Sequence, residues 1–72
     1  MAEMEIMDNV RVDALDYVVS TKYGYVKDLL KKVQETIVAE FVSLGFIIMG
    51  YTPEDKTWRV SSFAESYYKI VR

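Results

Sequence analysis

A long stretch without glycine or proline, residues 25–44, constrains this chain more than any other feature. Glycines flank it on both sides, at positions 24 and 45. Its apolar side chains recur at three- and four-residue steps, at Val26, Leu29, Leu30, Val33, Ile37, Phe41 and Leu44. At about 100° per residue they form one stripe about 120° wide, which predicts a helix with one face in a core. We predict one long helix that ends at Gly45; two helices, the second capped by Thr36, are the alternative.

A shorter helix is predicted before this stretch. Asp8 or Asn9 can cap its N-terminus, because both side chains accept hydrogen bonds from free backbone N–H groups. Apolar residues form a second stripe over 10–23, and Gly24 is expected to end the helix. A tight turn would then connect it directly to the long helix.

The period of the apolar residues changes from 3.6 to 2 after Gly45. Residues 46–51 and 57–61 are rich in strand-forming types, and Pro53 suits the turn between them. These features predict an antiparallel hairpin. Trp58 and its neighbouring aromatics either pack in the core or stack on a partner.

A short C-terminal helix is predicted from Ser62 to about Val71. Ser62 and Glu65 match the capping-box pattern, in which two side chains satisfy free N–H groups reciprocally. Three residues are expected to form its inner face: Phe63, Tyr67 and Ile70. The whole chain is therefore predicted to be α+β, with residues 10–72 as one domain preceded by an N-terminal tail or edge strand over 1–9.

Composition excludes several classes of function. The chain has 72 residues with 51% hydrophobic content, which suits one small globular core. It has no cysteine and no histidine, so we expect neither a metal site nor a cofactor, and we expect no enzymatic activity. Acidic residues replace the basic start of a signal peptide, and no apolar run is long enough to span a membrane. A cytoplasmic, nucleoid or nuclear location is expected.

Charge is distributed unevenly along the chain. The first sixteen residues contain five acidic side chains against one arginine, whereas the remainder contains eight basic side chains against six acidic ones. An acidic N-terminal segment followed by a mildly basic remainder favours an anionic partner for the remainder of the chain.

The order of predicted elements resembles the winged helix-turn-helix superfamily. Residues 43–47, Ser-Leu-Gly-Phe-Ile, resemble the end of a recognition helix entering the wing. Residues 51–60 are similar to the wing of MarR-like members, with Pro-Glu-Asp at its tip. The resemblance covers residues 12–72 and implies DNA binding and transcription regulation. The superfamily usually has a further helix before the recognition helix, for which a single long helix leaves no room.

Candidate contacts follow from this resemblance and from the positions of the polar residues. The residues proposed to contact DNA are Lys22, Lys27, Lys31, Gln34, Lys56 and Arg59. Residues proposed for a subunit contact, which would make a homodimer, are Val38, Val42 and Tyr68. The alternative function is a protein-binding module, an inhibitor or adaptor, that acts through the acidic N-terminal helix or exposed aromatics without nucleic acid.

Overall fold

The computed structural model describes residues 8–71 as four helices and one three-stranded antiparallel sheet. In chain order the elements are α1 (Asn9–Thr21), β1 (Tyr23–Tyr25), α2 (Val26–Leu29), α3 (Glu35–Leu44), β2 (Ile47–Tyr51), β3 (Lys56–Val60) and α4 (Ser62–Val71). The strand order is β1-β3-β2, so β3 is the central strand. The predicted α+β class and hairpin are confirmed. The tail or edge strand is predicted over residues 1–9. Residues 1–7 lie outside the described residues, and the last two positions cap and begin α1.

Helix α1 begins as predicted and ends earlier. Asp8 Oδ1 accepts a hydrogen bond from the Arg11 N–H at 3.0 Å, which is the expected N-terminal cap. The helix ends at Thr21, where Lys22 adopts a positive φ of 79°. The prediction that Gly24 ends this helix is wrong, because residues 23–25 leave the helical direction and pair with β3.

The single long helix is also wrong: α2 ends at Leu29 and α3 begins at Glu35. The Val33 N–H still bonds to the Leu29 carbonyl at 2.8 Å, but Gln34 is extended, with ψ at 145°. Gln34 therefore caps α3 in place of Thr36, although its side chain makes no capping hydrogen bond. The break allows α2 and α3 to bury Leu29, Val33 and Ile37 while changing direction.

Helix α3 contributes the centre of the core. Ile37 and Phe41 are buried as expected, and Val38, which is proposed for a subunit contact, is buried with them. The ring of Phe41 meets Phe46 edge-on at 5.3 Å between centroids. Gly45 ends the helix with φ at +81°, a backbone conformation that side chains other than glycine rarely adopt.

Ser61 connects the sheet to α4. Its hydroxyl accepts from the Ala64 N–H at 3.0 Å and donates to the Gly45 carbonyl at 2.6 Å. The predicted capping box of Ser62 and Glu65 is therefore wrong by one residue. The Glu65 carboxylate instead accepts from Lys22 at 3.1 Å.

This cap turns α4 away from its predicted orientation. Ala64 is buried, and Tyr67, Tyr68 and Val71 pack partly against the core. The predicted inner-face residues Phe63 and Ile70 are instead 55% and 79% exposed. No helix in residues 8–71 has both the length and the apolar character needed to cross a bilayer.

Candidate functional site

Four of the predicted DNA contacts are grouped around the α2–α3 turn and the hairpin loop. Lys27 Nζ lies 3.8 Å from Asp55 Oδ2, so α2 approaches the loop that precedes Lys56. Lys31 Nζ lies 3.9 Å from Asp28 Oδ1. Both ion pairs are largely exposed, and such pairs contribute about 1 kcal/mol or less. Phosphates could therefore displace the carboxylates at small cost.

Two of the predicted contacts lie elsewhere. Lys22 is paired with Glu65 of α4, at the end of α1. Arg59 is on the central strand, aligned with Tyr23 on one side and Ile48 on the other. The six predicted residues therefore do not form one surface. We call the group Lys27, Lys31, Lys32 and Gln34 the turn surface; Lys32 was not among the predicted contacts, and it is exposed between Lys31 and the buried Val33.

The outward face of α3 carries mostly small and acidic side chains, together with the exposed Val42 and Leu44 near its C-terminal end. Thr36, Ala39 and Ser43 are exposed on consecutive turns, opposite the buried face. Glu35 is exposed in the first turn, and the helix contains no basic residue. These small side chains allow a partner to approach the α3 backbone closely, whereas Glu35 would repel an anion.

The acidic residues of α1 and α3 are partly engaged within the chain. Arg11 Nε donates to Glu40 at 2.9 Å, and its Nη1 donates to Asp8 at 3.0 Å. The hydrogen bond and charge of Glu40, with those of Asp8, raise the pKa of the Arg11 guanidinium. Asp16 accepts from the Tyr68 hydroxyl at 2.6 Å. Of the α1 acids, Asp13 is the exposed one available to a protein partner.

The predicted interface residues have different environments. Val38 is buried inside the chain, so its side chain is not available for the subunit contact proposed for it. Tyr68 packs partly against the core and donates its hydroxyl to Asp16, so it is partly covered within the chain. Val42 is 38% exposed on α3 and remains a candidate.

Replacing Val42 by Asp tests the remaining part of the self-association prediction. We expect the variant to keep its fold, with its free energy of unfolding changed by no more than about 0.5 kcal/mol, because the side chain is accessible. If α3 forms a subunit contact, light scattering will give a monomer mass for the variant and a dimer mass for the wild type. A wild-type mass that is already monomeric at high concentration contradicts the prediction.

The solvent side of the sheet forms a second candidate surface. Because paired residues in an antiparallel ladder share a face, two rows cross the strands: Tyr23–Arg59–Ile48 and Tyr25–Thr57–Gly50. These six residues form what we call the outer sheet face, which lines a shallow depression of about 420 Å³. The opposite side of the sheet carries the buried Ile47 and Trp58 and packs against the helices.

Sequence reasoning did not identify this face. A three-residue strand is too short for its alternation to be recognised, and Tyr23-Gly24-Tyr25 was predicted to be a turn between helices. Trp58 was predicted to pack in the core in one of the two interpretations, and its burial to 3% exposure confirms that one. Tyr51, in contrast, is 81% exposed at the end of β2.

Residues 8–71 contain no group of three or more acidic side chains arranged to hold a metal ion. The sequence matches no protein-family model, and no curated protein resembles it significantly.

Proposed function

We propose that this chain is a winged-helix domain that binds double-stranded DNA. The element order supports the assignment: a helix, a short strand, two helices around a turn, a hairpin and a final helix, with sheet order β1-β3-β2. In this interpretation α2 is the helix that precedes the recognition helix, α3 is the recognition helix, and the β2–β3 hairpin is the wing. The assignment of a function to a fold needs support from the site as well.

The observation that carries the proposal is the exposed face of α3 beside the turn surface. A major groove about 12 Å wide accepts a helix, and small side chains let that helix sit deeply. Thr36 and Ser43 carry hydroxyls that bond to base edges, and Ala39 is suited to contact with a thymine methyl group. Lys31 and Lys32 lie just before this helix, where they would meet the phosphates that flank the groove.

The charges predict weak binding with limited sequence specificity. The chain has a net charge of −2, and Glu35 and the hairpin loop would oppose phosphates. Four lysines are placed to contact the backbone: Lys27, Lys31, Lys32 and Lys56. If all four do so, log K falls with log salt with a slope of about −3.6. Affinity would thus be measurable at low salt and decline steeply as salt rises.

A salt titration of duplex binding tests the proposal. Replacing Lys31 and Lys32 together by Ala should make the slope shallower by nearly two units, at about 0.9 per lost phosphate contact. Fluorescence anisotropy of a labelled duplex provides the measurement, with helical content checked by circular dichroism.

Two matched changes serve as controls. Replacing Lys22 and Lys69 by Ala removes the same charge away from the turn surface and should leave the slope unchanged. Asp13→Lys on α1 should leave it unchanged or slightly steeper. If the wild-type protein does not bind duplex even at low salt, the DNA-binding proposal is wrong.

A protein-binding module is the second candidate, because Phe63 and Ile70 are exposed on one side of the amphipathic α4. An exposed apolar pair beside the half-buried Tyr67 is typical of a helix that packs on a partner. This function predicts no duplex binding at any salt concentration. Ile70→Asp on α4 would then weaken the protein complex, whereas replacing Lys31 and Lys32 by Ala would leave it unchanged.

A further inference from the structure

The outer sheet face combines exposed aromatic rings with a cation, Arg59, that has no partner among residues 8–71. Tyr23 is 74% exposed and Tyr25 is 37% exposed, and both side chains lie on the same side of β1. Two residues along a strand correspond to about 7 Å. The rings are therefore spaced as two separate stacking positions on one surface.

The face is open on its β2 side, at Gly50 of the edge strand. Gly50 contributes no side chain, and a Cβ placed there would lie 3.0 Å from Thr57 Oγ1. The Thr57 hydroxyl is thus left at the floor of the depression, beside Arg59 two residues along the same strand. A flat group with polar edges fits this space: its face would meet Tyr23 or the Arg59 guanidinium, and its edge would meet the hydroxyl.

Charge identifies the class of occupant. Arg59 makes no ion pair and no side-chain hydrogen bond with any residue in 8–71, although it is central on the face. Lys27 Nζ lies 5.5 Å from the centroid of the Tyr25 ring, at the edge of the same face. A second copy of the chain docked face to face would bring two Arg59 side chains together, which is unfavourable. An anionic occupant with planar groups is favoured instead.

We propose that the outer sheet face binds single-stranded nucleic acid. Bases stack on Tyr23 and Tyr25, and Arg59 and Lys27 attract the phosphates between them. Duplex DNA does not fit this site, because its bases are already stacked inside the helix. The inference goes beyond the proposed duplex-binding function, since α3 packs on the opposite side of the sheet.

The test measures anisotropy of a labelled single strand of about ten nucleotides, a length within the site sizes of single-strand binders. We expect Tyr23→Ala to weaken binding by about tenfold to a hundredfold, the loss typical of one stacked base. Arg59→Gln should cause a similar loss, and Arg59→Lys a smaller one, because lysine keeps the charge without the planar guanidinium.

Two controls match these variants in chemistry. Tyr51→Ala removes an equally exposed ring from the other side of the sheet, and Lys69→Gln removes a positive charge from α4. Both should bind the single strand as the wild type does. Tyr23→Ala should also retain duplex binding, whereas Lys31→Ala with Lys32→Ala should retain single-strand binding; these two results separate the two proposals.

Several outcomes would overturn the inference. One is a wild-type protein that binds no single strand at low salt. Another is an equal loss of affinity in Tyr51→Ala or Lys69→Gln, which would mean that the binding is non-specific and depends on overall charge and exposed apolar surface. A third is a dimer mass that falls to the monomer mass in Tyr23→Ala, which would mean that a second copy covers the face. Binding of a peptide to this face, together with no binding of the single strand, would contradict the inference as well.

Discussion

Phe41→Ala is expected to lower the free energy of unfolding by about 3–5 kcal/mol. Phe41 has no exposed surface, and its ring packs edge-on against Phe46. Truncation removes apolar burial and leaves a cavity between α3 and the sheet. A domain of this size has a total stability of roughly 4–11 kcal/mol, so the variant would lose a large part of it. Urea unfolding followed by the fluorescence of the buried Trp58 provides the measurement.

Phe63→Ala is the matched control. Its ring lies 5.4 Å from the same Phe46 ring, but the residue is 55% exposed. Its truncation removes the same atoms and creates no enclosed cavity, so we expect a loss of less than about 1.5 kcal/mol. Equal losses in the two variants would mean that Phe63 is covered in solution, contrary to its position on α4. A small loss for Phe41→Ala would contradict the core described above.

The elements with strong local signals could be predicted from the sequence. The hairpin alternates with period two, and Gly45 marks the end of α3 because of its positive φ. The break between α2 and α3 could not be predicted in the same way. Leu29, Val33 and Ile37 keep helical spacing in the sequence through the turn. The turn mixes helical i to i−4 bonds, at Leu30 and Val33, with tighter i to i−3 bonds at Lys31 and Lys32, so the spacing of the apolar residues does not reveal it. The extended Gln34 then separates this turn from α3.

The orientation of α4 depended on a tertiary contact. Ser61 and Ser62 are both plausible caps, and Ser61 is selected because its hydroxyl also donates to the Gly45 carbonyl sixteen residues earlier. A shift of one residue rotates the helix by about 100°. That rotation exposes Phe63 and Ile70, and it brings Tyr68 to Asp16 of α1.

The candidate site could be predicted as a set of residue types but not as a surface. Lysines at 27 and 31 were found from their helical spacing, which survives in α2 and the turn. Lys22 was assigned to the same group, yet it is paired with Glu65, 43 residues away in sequence. The outer sheet face depends on the pairing of β1 with β3. The sequence of a three-residue strand is too short to show which distant strand it pairs with.

Ala39→Glu is expected to abolish most duplex binding while the fold is retained. Ala39 is exposed in the middle of α3, so a longer side chain there meets solvent in the free protein and costs little stability. In the proposed complex the carboxylate would enter the groove between two phosphate backbones, and like charges placed together in an interface cost several kcal/mol. We expect affinity to fall by about a hundredfold or more.

Ser66→Glu provides the matched control, because it adds the same charge at an exposed position of α4. It should weaken duplex binding only slightly, through the change in net charge. Ala39→Gln, which has the same length without the charge, separates repulsion from steric hindrance and should bind better than Ala39→Glu. If Ala39→Glu and Ser66→Glu weaken binding equally, α3 does not enter the groove. Duplex binding would then depend on the lysines alone, and the chain would contact DNA without using a recognition helix.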